Sequence, residues 1–342
     1  MVKVFGIVLI LLSSVNAFVP QVALAPFNRW HCIDFVKNID QNKPYSYNIG
    51  DLPLVSWFDK DKAYTTMNIC DHMGSKLDNG VVDKGCLYCP YHGISYDENR
   101  TFGETMIFED KLWWSYEPIK TTPPRVPFYH NKHYTTSTIT TDIDANFADC
   151  IYNTMDINHP SMIHNNIFGF GSNIPPDNIK TIRYPFEKEK IAMSFNYKST
   201  SGLIHFKNSL KKSVNFHMYE YPLTSWSRVS LPRNENLFVN VNLLPLSQDK
   251  TRWIITLKHN FWKSSIEREF LKIAAKCIIY QDKMQMKKQS IVSPLKNIIM
   301  NQRELPNEDH LNDIKQMVNN YRYPTTGMVV MLYNYHKSLR KN

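Results

Sequence analysis

Several things are scarce in this 342-residue chain. Long apolar runs are one: the stretch Val4 to Leu12 and the later stretch Gly327 to Tyr333 are both too short to span a bilayer comfortably. Blocks of like charge are another. The net charge is +9, yet the lysines are scattered, with short clusters only at Lys211-Lys212 and Lys287-Lys288. No nucleic-acid motif accompanies that charge, so a nucleic-acid partner is not expected. Glycine-rich phosphate loops are missing too. Gly169-Phe170-Gly171 lacks the third glycine of a dinucleotide fingerprint. No internal repeat or low-complexity segment stands out. Cysteine is limited to Cys32, Cys70, Cys86, Cys89, Cys150 and Cys277. Three of these fall close together, a clustering that favours a metal site over a disulfide scaffold.

What is present reads as folded protein. Hydrophobic residues make up 43%, charged residues 21% and aromatics 13%. The length suits two cores better than one. Residues 1–17 have the pattern of a signal peptide: Lys3, the apolar run, then Ser13-Ser14-Val15-Asn16-Ala17. A short membrane anchor is the alternative. Ala17-Phe18-Val19-Pro20 resembles the junction of bipartite plastid-targeting leaders, which would extend the leader to about residue 26. The expected location is therefore a plastid, or alternatively a membrane surface, with peripheral membrane contact.

From Trp30 to Pro118 short strand-like runs are broken by turns, as in Leu54–Phe58, Gly93–Tyr96 and Lys111–Ser115. This predicts a small antiparallel β domain over 27–120. Four prolines between Pro118 and Pro127 mark a boundary. The second domain is expected over 130–342. There Thr135–Ile143 reads as a strand and Asn146–Met155 as a helix. Strand candidates follow at Ile191–Phe195, Leu237–Val241 and Arg252–Leu257, and a long helix is predicted over Ser265–Ser290. In that helix Ile266, Phe270, Ile273, Cys277 and Tyr280 recur at three- and four-residue steps. The class is α+β, with an antiparallel sheet wrapped on a long helix.

Two constellations carry chemistry. The first is Cys70-Asp71-His72 and, after a gap of sixteen residues, Cys89-Pro90-Tyr91-His92-Gly93. Each half offers one thiolate and one imidazole, and Gly74 and Gly93 permit tight loops. Two cysteines on one iron and two histidines on the other is the ligation of a Rieske [2Fe–2S] cluster. A single zinc ion on Cys70, His72, Cys86 and Cys89 is the competing arrangement. The second constellation is Asn153, Asp156, His159 and His164. Two imidazoles and a carboxylate on one face of Fe(II) leave positions open for O₂ and substrate.

Together these motifs resemble the oxygenase components of Rieske non-haem iron oxygenases. The resemblance implies an N-terminal all-β Rieske domain and a C-terminal helix-grip domain. It implies that Cys70, His72, Cys89 and His92 hold the cluster, and that His159, His164 and Asp282 hold a mononuclear iron, with Glu267 and Glu269 as rivals for the third place. Asp156 matches an aspartate that bridges a Rieske histidine of a neighbouring subunit to an iron histidine. The bridge would run from His92 through Asp156 to His159. Asn153 matches a polar residue near the iron. A head-to-tail homotrimer is implied, as are O₂, an organic substrate and electrons from a ferredoxin or separate reductase. A basic surface suits docking of an acidic donor.

With the leader, the motifs resemble the branch acting on chlorophyll-type macrocycles, such as pheophorbide a oxygenase. Plant relatives carry a late Cys-x-x-Cys, whereas Cys277 is the last cysteine here. Other readings are a monooxygenase or demethylase of a small quaternary amine or a sterol, and a non-catalytic Rieske redox protein. A quaternary amine would want an aromatic cage, for which Trp226, Trp253, Tyr219 and Tyr221 are candidates and core packing the alternative.

Overall fold

In the computed structural model, residues 28–164, 176–184, 189–197, 213–230, 234–290, 309–321 and 323–339 are described. The leader, Lys211-Lys212 and Gly169–Gly171 lie outside the described residues. The chain forms two compact units. One holds the described residues up to Pro123 together with those from Tyr321 on; the other is Pro124–Asn320.

The first unit is built from three small antiparallel sheets. Strands β1 (His31–Phe35), β9 (Lys111–Ser115) and β8 (Glu104–Phe108) form one; β2 (Tyr45–Ile49), β3 (Leu52–Asp59) and β4 (Lys62–Met67) another. The third is β5 (Val81–Asp83), β6 (Cys86–Tyr88) and β7 (Ser95–Tyr96). Its core is aromatic: Trp57, Tyr96, Trp113 and Trp114 are fully buried. Burying such rings contributes on the order of 2–3 kcal/mol each, which suits a small unit with many turns.

The domain expected over 130–342 is corrected at its end, because residues from Tyr321 on pack with the first unit. The cause is a set of specific contacts. Tyr321 Oη lies 3.3 Å from buried His31 Nε2. The Asp51 N–H donates to the Pro324 carbonyl at 3.0 Å. The Asp51 carboxylate then accepts from Thr326 N–H at 2.8 Å and Thr326 Oγ1 at 2.7 Å. It thereby caps the C-terminal helix Thr326–Leu339 from a distant part of the chain.

The second unit is a seven-stranded antiparallel sheet. Its strands are β10 (Thr135–Ile143), β11 (Asp177–Arg183), β12 (Lys190–Tyr197), β13 (Ser213–Glu220), β14 (Thr224–Ser230), β15 (Asn236–Ser247) and β16 (Lys250–His259). Spatially β11 to β16 run as a meander, and β10 returns to pair with β16. Helices α1 (Phe147–Met155) and α2 (His159–Ile163) come between β10 and β11 in the chain, and α3 (Ser265–Ser290) follows β16. Asn146 caps α1, its side-chain oxygen accepting from Asp149 N–H at 2.9 Å. Helix α1 packs on β13 to β16, and α3 on β10.

Helix α3 has the bounds its periodicity predicts, but the apolar stripe that marks it in the sequence is not its buried face. Leu271, Ile279, Asp282 and Met286 are buried, whereas Ile266, Phe270, Ile273, Cys277 and Tyr280 are exposed. Both faces carry apolar residues, and the inner one is interrupted by a carboxylate. Among the described residues, no helix is long and apolar enough to cross a membrane.

Candidate metal centres

The first site sits on two matching loops. In one, Cys70 N–H donates to Ser75 O at 2.7 Å and Gly74 N–H to Cys70 O at 2.9 Å. In the other, Cys89 N–H donates to Ile94 O at 2.8 Å and Gly93 N–H to Cys89 O at 3.0 Å. Gly74 (φ 73°) and Gly93 (φ 70°) occupy equivalent places in the left-handed region, where a side chain is strained. The sequence folds each Cys-containing loop into the same tight turn.

The ligands separate by type. Cys70 and Cys89 are buried among Val55, Trp57, Leu77 and Leu87. Their side chains hydrogen-bond each other. Burial works to raise the Cys89 thiol, but hydrogen bonds from the Tyr91 and His92 backbone N–H groups and from the Cys70 and Ser75 side chains together outweigh it. The thiol is held below its ordinary value. His72 and His92 are exposed, and their Nδ1 atoms lie 3.2 Å apart, a spacing that suits two imidazoles on one iron. Two thiols on one side and two imidazoles on the other fit a [2Fe–2S] cluster. They do not fit one ion: among the described residues, the group of three or more donors brought within 4.8 Å of one another is His159, His164 and Asp282. The zinc arrangement through Cys86 is thereby corrected.

Tyr96 supports this site, a role the motif does not spell out. Its hydroxyl accepts from Asp71 N–H at 2.9 Å and hydrogen-bonds the Cys70 side chain. Burial raises its pKa, helped by the Cys70 side chain and the Asp71 carboxylate and opposed by the Asp71 N–H, so it stays a neutral donor to sulfur.

The second site joins α1, α2 and α3. The Asp156 carboxylate accepts from Asn158 N–H (2.7 Å) and His159 N–H (3.3 Å), fixing the start of α2. His159 and His164, five residues apart, then project to one place. Asp282 reaches the same place from α3: its Oδ1 lies 3.5 Å from His159 Nε2 and 3.1 Å from His164 Nε2. Asn153 donates to that same Oδ1 at 3.2 Å. Glu267 and Glu269, the rival carboxylates, are exposed and engaged elsewhere, Glu267 with Ser264 and Glu269 with Lys272.

The outer ring nitrogens are held as a metal site requires. His159 Nδ1 is 2.8 Å from the Asp156 carbonyl oxygen, and His164 Nδ1 is 2.8 Å from Gln281 Oε1. Both partners are acceptors, so each Nδ1 donates outward and each Nε2 is the nitrogen that faces Asp282, the one a metal would take once its proton is displaced. Sequence reasoning assigned no role to Gln281; its place beside Asp282 was the only signal. The Asp156 carboxylate itself stands 3.9 Å from His159 Nδ1, so the contact with His159 runs through the main chain. Burial works to raise the Asp282 carboxyl, but the two imidazoles bonded to it prevail and hold it at about 2. Burial likewise works to lower His159, and Asp282 outweighs it, so His159 is raised. A buried carboxylate between two imidazoles is the donor set of a non-haem iron site.

Above this centre lies an apolar cavity of about 170 Å³. Alternate residues of the strands line it: His217 from β13, Ser225 and Ser227 from β14, and Trp253 from β16 among Val and Leu side chains. Ala274 and Ile278 of α3 wall another side. Of the four aromatics considered for a cage, only Trp253 borders the cavity. Tyr219 is buried with its hydroxyl donating to Pro222 O at 2.7 Å, and Trp226 packs on Phe216. His217 was not singled out from sequence, since a lone histidine within a strand carries no motif.

Comparison with known proteins agrees with this geometry. Residues 29–105 match the model of the Rieske [2Fe-2S] domain. The oxygenase component of 3-ketosteroid-9-alpha-monooxygenase from Rhodococcus rhodochrous is 25% identical over 44% of this chain and 45% of its own length. Chloroplastic pheophorbide a oxygenase from Arabidopsis thaliana is 23% identical over 70% of this chain and 50% of its own. The chain spans about half the length of the curated relatives it matches. Among solved structures, dicamba monooxygenase bound to dicamba superposes with a TM-score of 0.73 at 15% identity, covering 86% of this chain and 97% of that one. The N-terminal unit carries a Rieske domain, and the fold is the one shared by Rieske oxygenase components.

Proposed function

We propose that this chain is the oxygenase component of a Rieske-type oxygenase, inserting oxygen from O₂ into a compact, largely apolar organic substrate. The observation that carries the reading is Asp282 between His159 and His164 beneath an apolar cavity, in a chain that also carries a Rieske domain. Cys70, His72, Cys89 and His92 would hold the cluster, and His159, His164 and Asp282 the iron. Bound there, iron supplies a face open to O₂ and substrate, fed with single electrons from the cluster. The protein's part is to orient and to exclude water. Asp156 and Gln281 fix the imidazole tautomers, Asn153 fixes the Asp282 carboxylate, and the apolar walls keep the site dry. Electrons come from a ferredoxin or separate reductase docking near exposed His72 and His92. A head-to-tail homotrimer would set the cluster of one subunit beside the iron of the next, with Asp156 at the junction.

Two observations bear on the substrate. A cavity of about 170 Å³ lies below the range of about 300–1,000 Å³ usual for drug-sized ligands, which favours a small apolar molecule, and its few polar groups suit one or two oxygen functions. The relation to chloroplastic pheophorbide a oxygenase and the plastid-like leader favour a chlorophyll-derived macrocycle instead. A plastid location is part of that second reading; a fluorescent protein fused behind residues 1–26 that stayed outside the plastid would remove it.

Supplying reduced ferredoxin and labelled O₂ to the iron-reconstituted protein tests both readings, with small aryl ethers, 3-ketosteroids and pheophorbide a offered in parallel. Label in a product establishes the oxygenase and its branch. No label from any substrate class, in protein with both centres filled, would count against the reading.

A further inference from the structure

The outer face of α3 has no explanation in the chemistry above. Ile266 is 81% exposed, Tyr280 62% and Ile273 58%, and Phe270, Cys277 and Met284 are exposed in line with them. At 100° per residue these six positions fall within one narrow stripe, opposite the buried residues Leu271, Ile279, Asp282 and Met286. The stripe runs from residue 266 to 284, about 27 Å at 1.5 Å per residue. Trp262 extends it, its ring 5.6 Å from that of Phe270. A row of exposed apolar side chains this long marks an interaction surface.

Charge indicates what covers it. Lys272, Lys276, Lys283 and Lys287 follow one another along one long edge of the stripe, and Lys288 lies at its C-terminal end. The exposed acids of the helix are Glu267, which caps Ser264, and Glu269, which pairs with Lys272. An apolar stripe with aromatic ends and a lysine margin is the pattern of a helix lying in the plane of a membrane interface.

We infer that the outer face of α3 docks on an anionic membrane surface, the Ile266–Met284 stripe entering the lipid and the lysines meeting the headgroups. The same helix walls the apolar cavity with Ala274 and Ile278, so docking would hold the substrate site beside a reservoir of apolar molecules. This assignment does not depend on the oxygenase reading, because its test reads no turnover.

Cys277 lies in the stripe and allows a local test. In the full chain with Cys86→Ser, bimane attached at Cys277 would be mixed with vesicles of phosphatidylcholine alone, or of equal parts phosphatidylcholine and phosphatidylglycerol, each with brominated acyl chains. The expected result is quenching by the anionic vesicles only. It should weaken about ten-fold in affinity in a Phe270→Ser/Ile273→Ser variant, and about five-fold for each lysine of the row changed to Gln. Cluster absorbance and circular dichroism would show that both exposed-face variants stay folded. A probe that vesicles leave unquenched overturns the inference. So does equal quenching in the double variant, or a bimane shielded without vesicles in a multimer that the double variant dissolves, which would make the face a subunit interface.

Discussion

At the residue scale the two centres depend on neighbours that hold ligands by hydrogen bonds. Tyr96 is the clearest case, its hydroxyl set between Asp71 N–H and the Cys70 side chain. A donor to a ligating thiolate stabilises the reduced cluster, the more negative state. Tyr96→Phe is therefore expected to lower the midpoint potential by about 60 mV, from about 1.5 kcal/mol for a bond to a charged group. Redox titration followed by EPR checks it, and an unchanged potential would show that the hydroxyl does not act on the cluster. His31 gives a pH prediction. It is fully buried, its Nδ1 donating to the Arg29 carbonyl, and burial pushes its pKa down to about 4 from 6.5. The folded state thus resists protonation that the unfolded chain accepts. Stability is fully present above pH 6.5 and is lost as pH falls from there towards about 4, by up to about 3 kcal/mol. His31→Gln should flatten that part of the denaturation profile, and equal slopes in both proteins would contradict the assignment.

At the element scale, much was legible. The strands Thr135–Ile143 and Arg252–Leu257 and the helix Ser265–Ser290 were readable because apolar period decides element type. Which face of α3 is buried was not readable from that period. Its outer stripe is the more regular one, whereas its inner face mixes Leu271 and Ile279 with Asp282 and small alanines that leave room for the cavity. Only tertiary packing separates the two. The faces should differ in energy: Ile279→Ala is expected to cost about 2–5 kcal/mol, Ile273→Ser within about 0.5 kcal/mol. Urea denaturation of the two variants measures this, and a large loss at Ile273 would mean the outer face is covered. The cluster ligands and His159/His164 were legible because short spacings carry them. Asp282 lies over a hundred residues from the histidines in sequence, and only the resemblance to a known family selected it over Glu267 and Glu269. Gln281 and His217 act through positions that only the fold brings together.

At the scale of the whole molecule, the proposed function requires electrons to pass from cluster to iron, and the proposed homotrimer would have them cross between subunits. Mixing cluster-deficient Cys89→Ser chains with iron-deficient Asp282→Ala chains, each inactive alone, should restore part of the activity after co-assembly, to about a quarter of wild type as an order of magnitude. No recovery in a verified mixed assembly would place the transfer within one chain. All of this presupposes that one chain holds two different iron centres. The most direct measurement is the iron and sulfide content of reconstituted wild type and Asp282→Ala, with EPR of the reduced cluster. The account predicts about three irons and two sulfides per wild-type chain, and about two of each in the variant with an unchanged Rieske signal. Equal iron in both proteins, or no Rieske signal in either, would contradict it.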